Sequence, residues 1–149
     1  MRFAATAIVM FTLSLPCVYT FAADMTDTPT ALAELRAKVD QAQPRDRCFL
    51  YAELVNRMTN LAGQQLNAGD SVEASETLKL IQRYADKIQM GIVDDSKKLK
   101  PAELLMRRTS FRLEDILRDA SYEDRPALEA TLTQMNKVRA QLMMQAFKK

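Results

Sequence analysis

A chain of 149 residues, 48% hydrophobic and 27% charged, has the length of one domain and the composition of a compact protein, which excludes an intrinsically disordered one. Only 3 Gly and 5 Pro, no Trp and abundant Ala, Leu, Met, Gln, Lys, Arg and Glu favour helix over strand. A net charge of +2 supplies no general field for nucleic acid or an anionic membrane, so neither partner is expected.

The first residues read as an export signal. Arg2 is the positive start, Phe3 to Leu15 is an uncharged apolar stretch, and Pro16 breaks it before Thr20-Phe21-Ala22. Small residues at the last and third-last positions suit a signal peptidase cutting between Ala22 and Ala23. The expectation is a cleavable segment 1–22 and a single helical domain 23–149, periplasmic or secreted. Without Arg2 the net charge falls from +2 to about +1, and no stable membrane insertion is expected after the cut.

Thr28-Pro29 pairs a capping residue with a first-turn proline, and Leu32, Leu35 and Val39 recur at helical spacing until Pro44. A longer second helix follows, with Cys48, Tyr51, Ala52, Val55, Met58, Thr59, Ala62 and Leu66 on one face. Asn67-Ala68-Gly69-Asp70 is a stop-and-restart signal: Gly69 suits the left-handed position and Asp70 or Ser71 the next cap. The third helix is expected to turn Val72, Ser75, Leu78, Ile81, Ala85 and Ile88 inward, with Gly91 as its stop.

Asp94 to Lys100 reads as a polar connection with room for one ragged turn around Leu99, and Pro101 as the restart of the chain in helical form. Ala102, Leu105, Met106, Thr109, Leu113, Ile116, Leu117 and Ala120 mark the fourth stripe. Outside it, Glu103 stands four residues before Arg107, and Glu114 four before Arg118, the favourable order for helix-surface pairs. Asp124 and Pro126 open the last helix, whose seam is Leu128, Leu132, Met135, Val138, Leu142 and Ala146. The fold expected is all-α: a four-helix bundle-like domain with an additional short N-terminal helix.

Leu61, Ala62, Gly69-Asp70, Ala74 and Leu78 give the segment Met58 to Ile81 a resemblance to one tetratricopeptide unit. Gln65 stands where that family has an aromatic and Asp86 where it has its closing proline. The runs Gln43-Pro44-Arg45-Asp46-Arg47-Cys48-Phe49-Leu50-Tyr51-Ala52-Glu53 and Lys97-Lys98-Leu99-Lys100-Pro101-Ala102-Glu103-Leu104-Leu105-Met106-Arg107 resemble short exported helical proteins of acidobacterial type with no assigned activity. That resemblance implies export and helicity, and carries no catalytic residue.

The chain has no histidine, which removes histidine-based triads and His-ligated zinc. C-x-x-C, phosphate-cradling glycine and G-x-S-x-G patterns are absent as well, so no catalytic, cofactor or metal residues are expected and the chain reads as a non-enzyme. Glu114, Asp115 and Asp119 are the densest carboxylates, and Arg112 is within helical reach of Asp115; a solvated, neutralised face accounts for them. Lys97, Lys98, Lys100, Arg107, Arg108 and Arg112 gather around Phe111, and Arg107, Arg108, Phe111 and Arg112 are the candidate partner surface. Met58, Met106 and Met135 fall on buried stripes, whereas Met143-Met144 are expected outside. Cys48 becomes the lone cysteine once Cys17 leaves with the signal, and its stripe predicts a buried free thiol.

The leading functional expectation is an exported, non-enzymatic helical module that acts by protein or peptide contact. One alternative is a periplasmic helical holdase-type chaperone, although the L-T-x-x-Q signature of one such group is missing: Leu132-Thr133 is followed by Gln134, with Asn136 at the glutamine position. The other is a small-ligand or metal-binding bundle, which needs polar groups converging on an apolar core.

Overall fold

The computed structural model describes residues 28–92 and 98–148. The expected signal segment 1–22, the expected cleavage site at Ala22 and Ala23, Cys17 and residues 93–97 of the polar connection lie outside the described residues. What is described is all-helical: α1 Pro29–Gln41, α2 Pro44–Ala68, α3 Ser71–Met90, α4 Leu99–Asp119 and α5 Arg125–Ala146, with no strand.

The helix ends follow from local chemistry. Thr28 Oγ1 accepts the Ala31 N–H at 3.3 Å, and Pro29 occupies the first turn, where its missing donor costs nothing. Gly69 takes φ 84°, and the chain reverses there as Asp70 N–H donates to the Gln65 carbonyl at 2.8 Å. Gly91 ends α3 as expected, in a right-handed conformation at φ −88°. The start of α4 differs from the sequence expectation: it begins at Leu99, before Pro101, because Lys98 adopts φ 61° and a proline within the first turn gives up no helical hydrogen bond.

Contacts link α2 with α3, α3 with α5, α5 with α4, and α4 back to α2, while α1 lies on α2. Polar and ring contacts give the directions. Phe49, Asn56 and Gly63 of α2 meet Lys98, Thr109 and Ile116 in rising order, so α2 and α4 run parallel. Ser71 and Gln82 meet Asp124 and Thr131 in the same sense, so α3 and α5 run parallel as well. The molecule is therefore a helical bundle of two antiparallel hairpins laid side by side, their turns at one end. Asp124 ties those turns together by accepting from both Ser71 and Ser121.

The core holds Leu54, Val55, Met58, Leu78, Ile81, Ile88, Met106, Leu113, Leu128, Met135 and Leu142, all at most 2% exposed. Met58, Met106 and Met135 thus fill it as their stripes predicted, and Met143 and Met144 are exposed. The α3 stripe needs correction: Val72 is 75% exposed, and Ala74 and Thr77 are buried in place of Val72 and Ser75. Steps of three alone drift about 60° each around a helix, so three of them carry Val72 to the face opposite Ile81. In α4 the buried stripe centres on Met106 and takes in Glu103 and Ser110, two polar residues the apolar pattern passes over. Leu132 and Tyr51 are half-buried at the edges of their stripes.

Candidate functional site

The outward side of α4 carries Leu104, Arg107, Arg108 and Phe111. Phe111 is 55% exposed and Leu104 43%, large apolar surface left in water on a helix whose opposite side is fully buried. Beside Phe111 a groove of about 480 Å³ runs between α4 and α5, lined by Glu103, Arg107, Phe111, Glu114, Asn136, Arg139, Met143 and Phe147. Met143 and Phe147 are also more than half exposed, and Lys100 Nζ stands 5.2 Å from the Phe147 ring centre. Glu103 is buried along its side chain to 8% exposure and is held by Arg107 at 3.1 Å, the pairing its spacing predicted. Asn136 Oδ1, on the groove wall, is buried and accepts no hydrogen bond from any described residue.

Arg107, Arg108, Phe111 and Arg112 of the candidate surface are all exposed, and of the four only Arg107 and Phe111 line that groove. One residue on, about 100° around the helix, Arg112 turns to a second cavity of about 480 Å³ at the turn end, shared with Asn67, Gly69, Asp115 and Asp119. The wider basic cluster is likewise divided: Lys98 leaves it to lie 5.3 Å over the Phe49 ring of α2, and Lys97 is outside the described residues. Arg118 pairs with Asp115 rather than with Glu114. Asp115 and Asp119 are exposed and Glu114 half-buried, so the three carboxylates form a largely solvated face.

Cys48 is fully buried, as its helix face predicted, and desolvation pushes its thiol from 9.0 up to about 11. A thiol so held is neutral at ordinary pH and a poor nucleophile. The buried hydroxyls and amides are mostly spent on joining helices. Asn56 Nδ2 donates to Thr109 Oγ1 at 2.9 Å, and that hydroxyl donates on to the Leu105 carbonyl. Gln82 Nε2 donates to Thr131 Oγ1 at 2.8 Å, and Thr77 Oγ1 to Gln65 Oε1 at 2.8 Å. These pairs lock neighbours together and leave few polar groups to meet a ligand in the core.

Two features escaped the sequence reading. Tyr51 and Tyr84 stack at 5.8 Å between ring centres, with Lys87 Nζ 5.6 and 5.2 Å from them and the Arg36 guanidinium 5.9 Å from Tyr84. Their near-equal distance from the Gly69 turn is the signal that places them side by side. A cavity of about 690 Å³ opens where α1 and α2 meet, between Glu34, Lys38, Asp46, Glu53 and Lys98. It depends on the α1–α2 corner, which no periodicity in either helix specifies.

Among the described residues no group of three or more Cys, Asp or Glu gathers to hold a metal ion, and no helix is long and apolar enough to cross a membrane. Comparison of the chain with family models, curated proteins and solved structures gives no match.

Proposed function

We propose that the chain is an exported, non-enzymatic helical module that works by protein contact, using the outer face of α4 and its groove with α5. In this reading α2 to α5 form a four-helix bundle, to which α1 is added as a short N-terminal helix. The observation that carries the contact reading is the grouping of Leu104, Phe111, Met143 and Phe147, each more than 40% exposed, around the paired Glu103 and Arg107. Aromatic and Met surface ringed by Arg and Glu is the composition of contact sites. Export rests on Arg2, the apolar run to Leu15 and the Ala22–Ala23 site. The absence of histidine and of recognisable catalytic patterns supports the non-enzymatic part.

The test is a photo-cross-linking residue placed at Phe111 in cells that make the protein, beside the same residue at Val72, which is 75% exposed at the other hairpin. Contact through α4 gives a discrete adduct from position 111 and none from 72. Equal adducts from both positions, or none from either, contradict the proposal. The exposed Met143, Met144 and Phe147 at the end of α5 also favour a holdase reading, since flexible methionines fit many partners. A holdase suppresses aggregation of several unrelated unfolded proteins, and a specific module suppresses none.

A further inference from the structure

Resting on that contact reading, we infer that the occupant of the outer face of α4 is a second copy of this chain, packed antiparallel about a twofold axis through Phe111. The argument lies in the order of charges on an exposed face. Each α-helical residue rises about 1.5 Å and turns about 100°. Arg107 and Asp115, four residues to either side of Phe111, therefore stand at equal heights above and below it, about 40° to opposite flanks. Arg108 and Glu114, three residues away, stand likewise about 60° to opposite flanks.

Arg107 and Glu114 therefore share one flank and Arg108 and Asp115 the other. The twofold axis of an antiparallel pair lies in the interface, across both helices and perpendicular to the Phe111 direction, so it inverts height and keeps flank. It places Arg107 opposite Glu114 of the second copy and Arg108 opposite its Asp115, and each pair occurs twice because the interface is isologous. Phe111 meets its own equivalent on the axis, and the aliphatic stem of Arg118 covers Leu104. The apolar centre and charged rim match the anatomy of a protein interface.

The alternatives fare worse on the same charges. Parallel packing of two α4 helices keeps height and inverts flank, which sets Arg107 against Arg108 of the second copy and Glu114 against its Asp115, like charge on like. A partner of unrelated sequence has no need for charges that invert in sign about the centre of this helix. The existing pairs do not block the arrangement. Arg107 is 48% exposed while holding Glu103, and Asp115 is 51% exposed while holding Arg118, so both retain faces for a further partner.

The experiment is sedimentation equilibrium of the purified protein from nanomolar to millimolar concentration, with a circular dichroism melt confirming that each variant is folded. The unmodified chain should dimerise. Phe111→Asp should abolish the dimer, and Arg108→Glu or Asp115→Arg alone should weaken it by about tenfold or more, since each creates two repulsive pairs. The double variant, Arg108→Glu with Asp115→Arg, should recover most of that loss. A chain that stays monomeric throughout overturns the inference. So does a dimer indifferent to Phe111→Asp, or charge reversals that fail to rescue one another.

The cross-link from position 111 then separates the two levels of the argument. An adduct of twice the chain mass supports self-association. An adduct to a different protein overturns it while sustaining the contact reading, and no adduct overturns both.

Discussion

Cys48 behaves at the residue scale as its helix position dictates. Ala52, Val55 and Thr59 share its side of α2, and all are fully buried with it. Thiol reagents should leave the native protein unlabelled and react fully after unfolding; rapid native labelling would place the sulfur outside. Its raised pKa, about 11 against 9.0, also fixes a sign. Between those values the unfolded chain releases the thiol proton and the folded chain keeps it, so stability is full below pH 9 and falls as pH rises towards 11. Two pH units at about 1.4 kcal/mol each make the loss roughly 3 kcal/mol. Denaturant titration at both ends of the window should show this loss in the native sequence and not in Cys48→Ala. Burial likewise separates Leu128→Ala, which should cost about 2–5 kcal/mol, from Val72→Ala, which should cost almost nothing because Val72 already stands in water. If the two variants melted alike, the assigned faces would be wrong.

The elements were legible wherever an apolar stripe keeps the helical period over several turns, and less so at their ends and edges. Thr28, Pro29 and Gly69 announce their caps by chemistry; the start of α4 at Leu99 depends on the left-handed Lys98, which no residue preference signals. Glu103, expected on the exposed side beside Arg107, is buried with Ser110 on the α4 stripe, because polarity hides a place that only the packed neighbour decides, and Glu103 is part of the groove at the candidate surface. The exposure of Arg107, Arg108, Phe111 and Arg112 is legible from their spacing, but that Arg112, about 100° from Phe111, lines a different cavity depends on the neighbouring turn and is not. The turn between α2 and α3 allows a sharp test. Nothing lies within 4 Å of a Cβ built on Gly69, but its φ of 84° disfavours any side chain. Gly69→Ala should therefore cost about 1–2 kcal/mol from backbone strain alone. At Gly63 the balance is different: its φ is helical, and a methyl group would meet the mobile end of Ile116 at 3.0 Å. Gly63→Ala should be near neutral, with helix propensity offsetting the squeeze, whereas Gly63→Leu should force α2 and α4 apart and cost about 1–3 kcal/mol. Thermal melts of the three variants give the order directly.

At the scale of the whole molecule, which helices neighbour one another was not legible, because stripes specify a buried side and not the partner that buries it. The pairing of α2 with α4 rests on contacts such as Asn56 to Thr109, 53 residues apart, and that of α3 with α5 on Gln82 to Thr131, 49 apart. Those contacts close α2, α3, α5 and α4 into a ring in which each helix is held on two sides. α1 stands outside the ring. It buries Leu32, Leu35 and Val39, packs on α2 and sets Arg36 over Tyr84 of α3. A helix of 13 residues is marginal without its docking site, so α1 should undock and unfold while the ring stays closed, as local units of low stability do. Native-state hydrogen exchange should then show hydrogen-bonded α1 amides exchanging at least about tenfold faster than those of Leu54 and Ile81, with little denaturant dependence because the opening exposes little surface. Val39→Ala should accelerate α1 further and leave Ile81 almost unchanged, since only the docking contact is weakened. Equal exchange free energies in α1 and α3, shifting together in Val39→Ala, would instead make α1 part of the cooperative core.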